Sequence, residues 1–247
     1  MSSYGPLCTQ FYDLDKPLPP ADALSYYRSR AEQCGGAVLE PMCGSGRFLL
    51  PLQAAGVRIE GSDAAPAMLA ACRRHAARVG LSPVLHEWRV QDLALGRRFA
   101  LAFVPSGSIG LLDAEELRLA LARLQAHLLP GAALLLELID DMGSDAPASE
   151  LPPRRVALDE QTALTYTCRA EPAAGGRAVR FAGQYQKTRG DTVLASEEET
   201  LLLWKHEPRQ VLEWLLATGF QTASLQRPAY ASLEPSGCVL VEARVGG

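Results

Sequence analysis

From Ala37 onward, short apolar runs of strand type alternate with amphipathic stretches of helical length. Such alternation calls for a parallel sheet covered by helices on both faces. The apolar runs predict strands at 37–40, 57–61, 84–90, 99–104 and 132–139, with helices at 47–55, 66–79 and 114–128 between them. The last helix places Leu117, Leu121, Leu124 and Leu128 on one face, and Pro130-Gly131 is expected to stop it. After Asp140 the alternation breaks. The stretch 142–154 is rich in Gly, Ser, Pro and Ala and reads as a loop, followed by an antiparallel meander over 163–170, 178–187 and 193–204. A helix over 207–219 and two closing strands, 220–227 and 238–244, complete the pattern.

The expected architecture is therefore an α/β Rossmann-like fold: a seven-stranded, mostly parallel sheet with one reversed strand and an inserted antiparallel meander. Residues 1–35 form an N-terminal aromatic segment carrying Tyr4, Phe11, Tyr12, Tyr26 and Tyr27, with a helix predicted over 20–33. Residues 36–247 form the main domain, and an insertion at about 150–205 is expected to cap its site.

Composition changes this picture little. At 247 residues, 48% hydrophobic and 21% charged, the chain is long enough to bury one substantial core. The net charge of −4 is scattered, and the basic pairs Arg73-Arg74, Arg97-Arg98 and Arg154-Arg155 lie far apart, which argues against nucleic acid as a partner. Six cysteines without a CxxC pair and four histidines without HExxH draw no metal framework. The N-terminus lacks a basic start followed by an apolar stretch, and no apolar run approaches the length of a membrane span. A cytoplasmic protein that acts without a membrane, as a monomer or homodimer, is the expectation.

Candidate chemistry concentrates in AVLEPMCGSGRFLLPL, a buried strand carrying Glu40 that runs into a turn where Gly44 and Gly46 leave room for a ligand beside the backbone. Asp63 ends the next strand, 19 residues after Gly44, where a carboxylate is suited to ribose hydroxyls. Dinucleotide binders place a third glycine where this chain has Leu49, and no lysine follows the glycines as a phosphate loop demands. Glu40 would repel a pyrophosphate yet attract the ammonium group of an amino-acid moiety, so S-adenosylmethionine fits best. Plainer roles exist for each residue: Asp63 alone would serve as a helix cap, Asp92 as a turn residue, Arg47 as a solvated side chain. His206 is expected at the surface.

With Phe11-Tyr12-Asp13, Glu40 before Gly44-Ser45-Gly46-Arg47, and Gly61-Ser62-Asp63 before Met68-Leu69, the chain resembles class I S-adenosylmethionine-dependent methyltransferases over nearly its whole length. The pattern is that of small-molecule N-methyltransferases of the glycine, sarcosine and amino-sugar type. The resemblance implies that the backbone from Met42 to Gly46 holds the methionine end, with Glu40 and Arg47 nearby and Asp63 on the ribose. Ala64 and Met68 would flank the adenine, Asp92 would accept its amino group and Leu93 would cover it. Pro105, Ser106 and Ser108 would border the methyl group, Tyr12 would stand beside the sulfonium, and Glu137, Asp140 and Asp141 are candidates to bind or deprotonate the acceptor. Tyr185 and His206 are further candidates. Relatives of the amino-sugar type often carry a histidine in a SIGHL pattern; here SIGLL places Leu111 there. The implied function is methyl transfer to an amine or hydroxyl of a small molecule. Two alternatives remain: a non-catalytic S-adenosylmethionine-binding protein and a nicotinamide-dependent oxidoreductase.

Overall fold

The structure, a computed structural model, describes residues 4–139, 147–226, 229–233 and 237–247. Two helices lead, α1 (Pro6–Asp15) and α2 (Ala21–Cys34), the second closed by Gly35 at φ 63°. The main sheet is laid down by β1 (Val38–Pro41), α3 (Leu49–Ala54), β2 (Ile59–Asp63), α4 (Pro66–Arg78), β3 (Val84–Glu87), β4 (Phe99–Val104), α5 (Ala114–Ala126) and β5 (Leu128–Ile139). Four antiparallel strands follow, β6 (Ser149–Ala157), β7 (Thr162–Ala173), β8 (Ala178–Arg189) and β9 (Thr192–Trp204). The chain then completes the main sheet with α6 (Pro208–Thr218), β10 (Phe220–Gln226) and β11 (Cys238–Val245).

The main sheet has the order β10-β11-β5-β4-β1-β2-β3. Strands β5, β4, β1, β2 and β3 are parallel, and β11 pairs antiparallel to both its neighbours, so it is the one reversed strand. The apolar run Leu134, Leu135, Leu136 and Leu138 of β5 is fully buried, as a strand covered on both faces requires. One face packs Leu117, Leu121 and Leu124 of α5 with Val211 and Leu215 of α6. The other packs Tyr27 of α2, Leu49 and Leu52 of α3, and Leu69 and Cys72 of α4. Asp113 caps α5 reciprocally with Glu116.

Several sequence expectations change in detail. Helix α5 ends at Ala126, so Pro130-Gly131 does not stop it; both residues lie inside β5 where its register against β4 shifts, with Gly131 at φ 75°. The predicted third strand ends at Glu87, and Val90–Asp92 form a 3-10 turn. The predicted loop before the meander holds a fourth strand, β6, over Ser149–Ala157. Its Pro152 and Pro153 fall within the register shift between Leu151 and Arg154, on the edge of the small sheet, where missing N–H donors cost little.

Helix α1 was absent from the sequence pattern altogether. Ten residues are too few for an isolated helix, and α1 is held by tertiary contacts. Phe11 packs against Tyr166 and Tyr185 of the small sheet, ring centroids 5.4 and 5.6 Å apart. Glu197 of β9 accepts the N–H groups of Leu7 and Cys8 at 2.9 and 3.0 Å, satisfying donors that the first turn leaves free.

Candidate cofactor and acceptor site

The site lies at the carboxyl edge of the main sheet, where parallel strands release their chain into turns. Strand β1 runs into a turn that Met42 and Gly44 enter with φ of 57° and 54°, followed by Gly46 at 87°. The turn is tied to β2: Cys43 N–H donates to the Ser62 carbonyl at 3.0 Å, and Gly44 N–H donates to Asp63 Oδ2 at 2.8 Å. Asp63 Oδ1 accepts from Ala65 N–H at 2.8 Å, opening α4. One carboxylate thus braces the turn and the next helix, while each oxygen keeps a lone-pair direction for a further donor.

The two turn glycines differ in purpose. A side chain on Gly44 would meet only Met68 Sδ, at 3.7 Å, so Gly44 opens onto free space as expected. On Gly46 it would strike Cys72 Sγ at 2.6 Å and Leu50 Cγ at 2.9 Å. Gly46 therefore serves close packing of the turn on α4, which corrects the expectation that both glycines make room for a ligand.

Glu40 is buried, and its Oε2 has no hydrogen-bond partner. Burial pushes its carboxyl well above the ordinary range, the charge of Asp63 pushes it further, and the Leu49 backbone opposes both. Burial likewise raises Asp63, against the pull of the Ala65, Gly44 and Ala64 backbones. Two neighbouring carboxylates, Glu40 buried with an orphaned oxygen and Asp63 half-buried, form a site for a ligand bringing positive charge and hydroxyl donors. That donor set fits an α-ammonium group and a ribose, and it disfavours a pyrophosphate. Leu49, fully buried in α3, occupies the place of a third glycine.

The other expected residues separate into those near this pair and those turned away. Met68 is buried beside Gly44, and Ala64 is exposed at the start of α4. Tyr12 brings α1 to the turn: burial raises its phenol, Arg47 beside it lowers it, and Glu40 and Asp13 raise it. Arg47 Nε donates to the Leu18 carbonyl at 2.9 Å, so this side chain tethers the turn to the segment between α1 and α2 rather than standing free in solvent. Asp92 is exposed and pairs loosely with Arg89 at 3.8 Å. Leu93 is fully buried in the core under α5, so its side chain offers adenine no accessible surface, contrary to expectation.

Pro105 and Ser106 follow β4, with Pro105 buried, Ser106 exposed at φ 60° and Gly107 at φ 63°. Glu137, buried on β5, accepts the Ser106 N–H at 2.6 Å and the Tyr27 hydroxyl at 2.5 Å, and it also accepts the Tyr230 hydroxyl. Burial raises its carboxyl, and the Tyr230, Tyr27 and Ser106 hydrogen bonds pull it down. Asp140 and Asp141 lie outside the described residues. Tyr185 packs on α1 and stacks on Tyr166 with centroids 4.5 Å apart. His206 is buried, not at the surface: Nε2 lies 2.9 Å from the Leu112 carbonyl, and burial lowers its pKa.

Residues to which the sequence assigned no site role complete the enclosure. Tyr4 reaches the site from the N-terminus, its phenol raised first by burial and in part by Cys8, Tyr12, Glu199 and Asp63. Tyr230 is locked in place because Ser232 donates N–H and Oγ–H to Asp22 of α2 at 2.7 and 2.8 Å. No local pattern marks these residues; only long-range contacts bring them to the site.

The comparisons with known proteins agree with this geometry. Residues 38–131 match the methyltransferase domain family. That stretch carries the strands β1 to β4 and the turn after β1, and in it the chain is similar to methyltransferases; the whole fold is similar to that of S-adenosylmethionine-dependent methyltransferases of known structure. Over 102 residues the chain is 35% identical to the dTDP-3-amino-3,6-dideoxy-alpha-D-glucopyranose N,N-dimethyltransferase of Streptomyces fradiae, a match spanning 41% of this chain and only 38% of that relative. The sugar N-methyltransferase KedS8 from a Streptoalloteichus species superposes with a TM-score of 0.77 at 19% identity, covering 100% of this chain and 96% of that one. The S-adenosylmethionine-bound amino pentose methyltransferase CalS10 from Micromonospora echinaspora superposes at 0.69 with 19% identity, covering 99% and 98%. At such identities these structures speak for the fold. Among the described residues no helix is long and apolar enough to cross a membrane.

Proposed function

We propose that this protein transfers the methyl group of S-adenosylmethionine to an amine of a small molecule, of the amino-sugar class named in its relatives. The observation that carries this reading is the pair of buried Glu40 and half-buried Asp63, with Glu40 Oε2 unpartnered and the Gly44 turn open to a ligand. When bound, S-adenosylmethionine supplies an electrophilic methyl carbon on a sulfonium. Glu40 holds the ammonium, the Met42–Gly46 backbone holds the amino-acid carboxylate, and Asp63 accepts from the ribose hydroxyls. Ala64, Met68 and Asp92 border the adenine. Tyr12 presents its ring toward the positive sulfonium. Pro105, Ser106 and Ser108 face the acceptor, and α1 with the four-stranded sheet excludes water above them. In-line displacement by an unprotonated amine depends chiefly on alignment, consistent with Leu111 in place of a histidine. The scattered charge of the chain favours a small acceptor over nucleic acid, and a cytoplasmic monomer or homodimer accords with this role.

Calorimetry with S-adenosylmethionine, S-adenosylhomocysteine and NAD tests the cofactor: binding of NAD without S-adenosylmethionine overturns the reading. Formation of S-adenosylhomocysteine with a panel of amino sugars and nucleotide-linked amino sugars tests the acceptor. Tight cofactor binding with no turnover across that panel and a wider amine and hydroxyl library would favour a non-catalytic binding protein.

A further inference from the structure

The loop after β4 is held in an unusual shape by one buried side chain. Ser106 adopts φ 60°, a left-handed conformation uncommon for a residue with a side chain, and Gly107 continues it at φ 63°. A Cβ on Gly107 would meet Ile139 Cγ1 at 2.8 Å, so the turn sits hard against the end of β5. Ser108 then closes the turn, its Oγ–H donating to the Pro105 carbonyl at 3.0 Å. The only bond among those described that anchors the Ser106 amide comes from Glu137 Oε2, at 2.6 Å.

The remaining oxygen of Glu137 is taken by two phenols from sequence-distant places. Tyr27 comes from α2, its ring stacked on Phe103 of β4 with centroids 4.5 Å apart. Tyr230 comes from the segment before β11. With three donors on its oxygens and 3% of its surface exposed, Glu137 is held and shielded, which suits a strut and not an exchanger of protons. Through Glu137, Tyr27 connects α2, and Tyr230 the segment before β11, to the loop after β4.

We propose that Glu137 is a positioning residue: clasped by Tyr27 and Tyr230, it holds the Ser106–Gly107 turn in the left-handed shape from which that loop aligns the acceptor amine. This rests on the function proposed above for its catalytic meaning, but the strut itself is open to test without turnover. Hydrogen exchange over residues 104–111 is compared in the wild type, Glu137→Gln, Glu137→Ala, Tyr27→Phe and Tyr230→Phe. Exchange about tenfold faster or more in folded Glu137→Gln and Tyr230→Phe is expected; unchanged exchange in both overturns the proposal.

In turnover, each phenol deletion and Glu137→Gln should lower kcat about 10- to 100-fold. The KM for S-adenosylmethionine should stay within about threefold, and Glu137→Gln should retain more activity than Glu137→Ala. Loss beyond about a thousandfold in Glu137→Gln with full activity in Tyr27→Phe and Tyr230→Phe would make Glu137 a proton acceptor instead and overturn the proposal. If the wild type fails to bind S-adenosylmethionine, the proposed function falls, while the exchange measurements still decide whether Glu137 is a strut.

Discussion

The two sheets of this protein are held together differently. In the main sheet, strands such as β5 are buried on both faces, and most of its strands and covering helices alternate closely along the chain. In the four-stranded sheet, β6 and most of β9 are exposed, and a small buried cluster of Cys8, Phe11, Leu164 and Tyr185 is shared with α1. The main sheet is thus a platform with an extensive core on both faces. The four-stranded sheet is joined to α1 by a few rings and acidic caps, and under the function proposed above acceptor specificity can change there without disturbing the platform.

The largest expected effect tests the platform. Leu135→Ala removes a fully buried side chain from β5 and should cost about 2–5 kcal/mol of global stability, read as a lower urea midpoint. Next, Asp63→Ala removes both the ribose acceptor and the brace on Gly44, and should weaken S-adenosylmethionine about a hundredfold by calorimetry, given the strength of hydrogen bonds to a charged group. Glu197→Gln weakens the cap on α1, about 1 kcal/mol. It should speed hydrogen exchange over Pro6–Asp15 and raise the acceptor KM while the global urea midpoint barely moves. A fall in global stability equal to that of Leu135→Ala would erase the distinction between the halves.

A pH experiment sharpens the same contrast. Because the folded-state pKa of Glu40 is raised above its ordinary 4.5, the stability tied to it is complete below that value and declines as pH rises through the folded-state value. Glu40→Gln should therefore stabilise the cofactor-free protein at neutral pH in scanning calorimetry, with the gain vanishing near the ordinary value. With S-adenosylmethionine present the order should reverse, since the variant gives up the ammonium partner. The smallest effect belongs to Asp92→Ala: at an exposed position a loss of about threefold in cofactor affinity is expected, and no loss would remove Asp92 from the adenine site.

Much of the platform was legible in the chain because its determinants are short-range. The apolar run of β5, the Gly44 turn and the carboxylate ending β2 each announce themselves within a few residues, and their spacing pointed to the nucleoside site. Where a local signal had two meanings, the reading slipped. Pro130-Gly131 looked like a helix stop and proved to be a strand irregularity, and Pro152-Pro153 hid an edge strand. Gly46 carried the same local signature as Gly44, and only the position of Cys72 on α4 showed that it serves packing.

By itself, then, the sequence determined the parallel sheet, the order of its elements and the acidic pair at its carboxyl edge, since periodicity and turn chemistry act over a few residues. Tertiary structure alone decided that α1 exists, that Glu40 keeps an unpartnered oxygen, that His206 is buried, and that Glu137 is clasped by Tyr27 and Tyr230. Those features depend on which distant groups share a buried space, and hydrogen-bond saturation in such a space is a property of the assembled neighbours and not of any one stretch of chain.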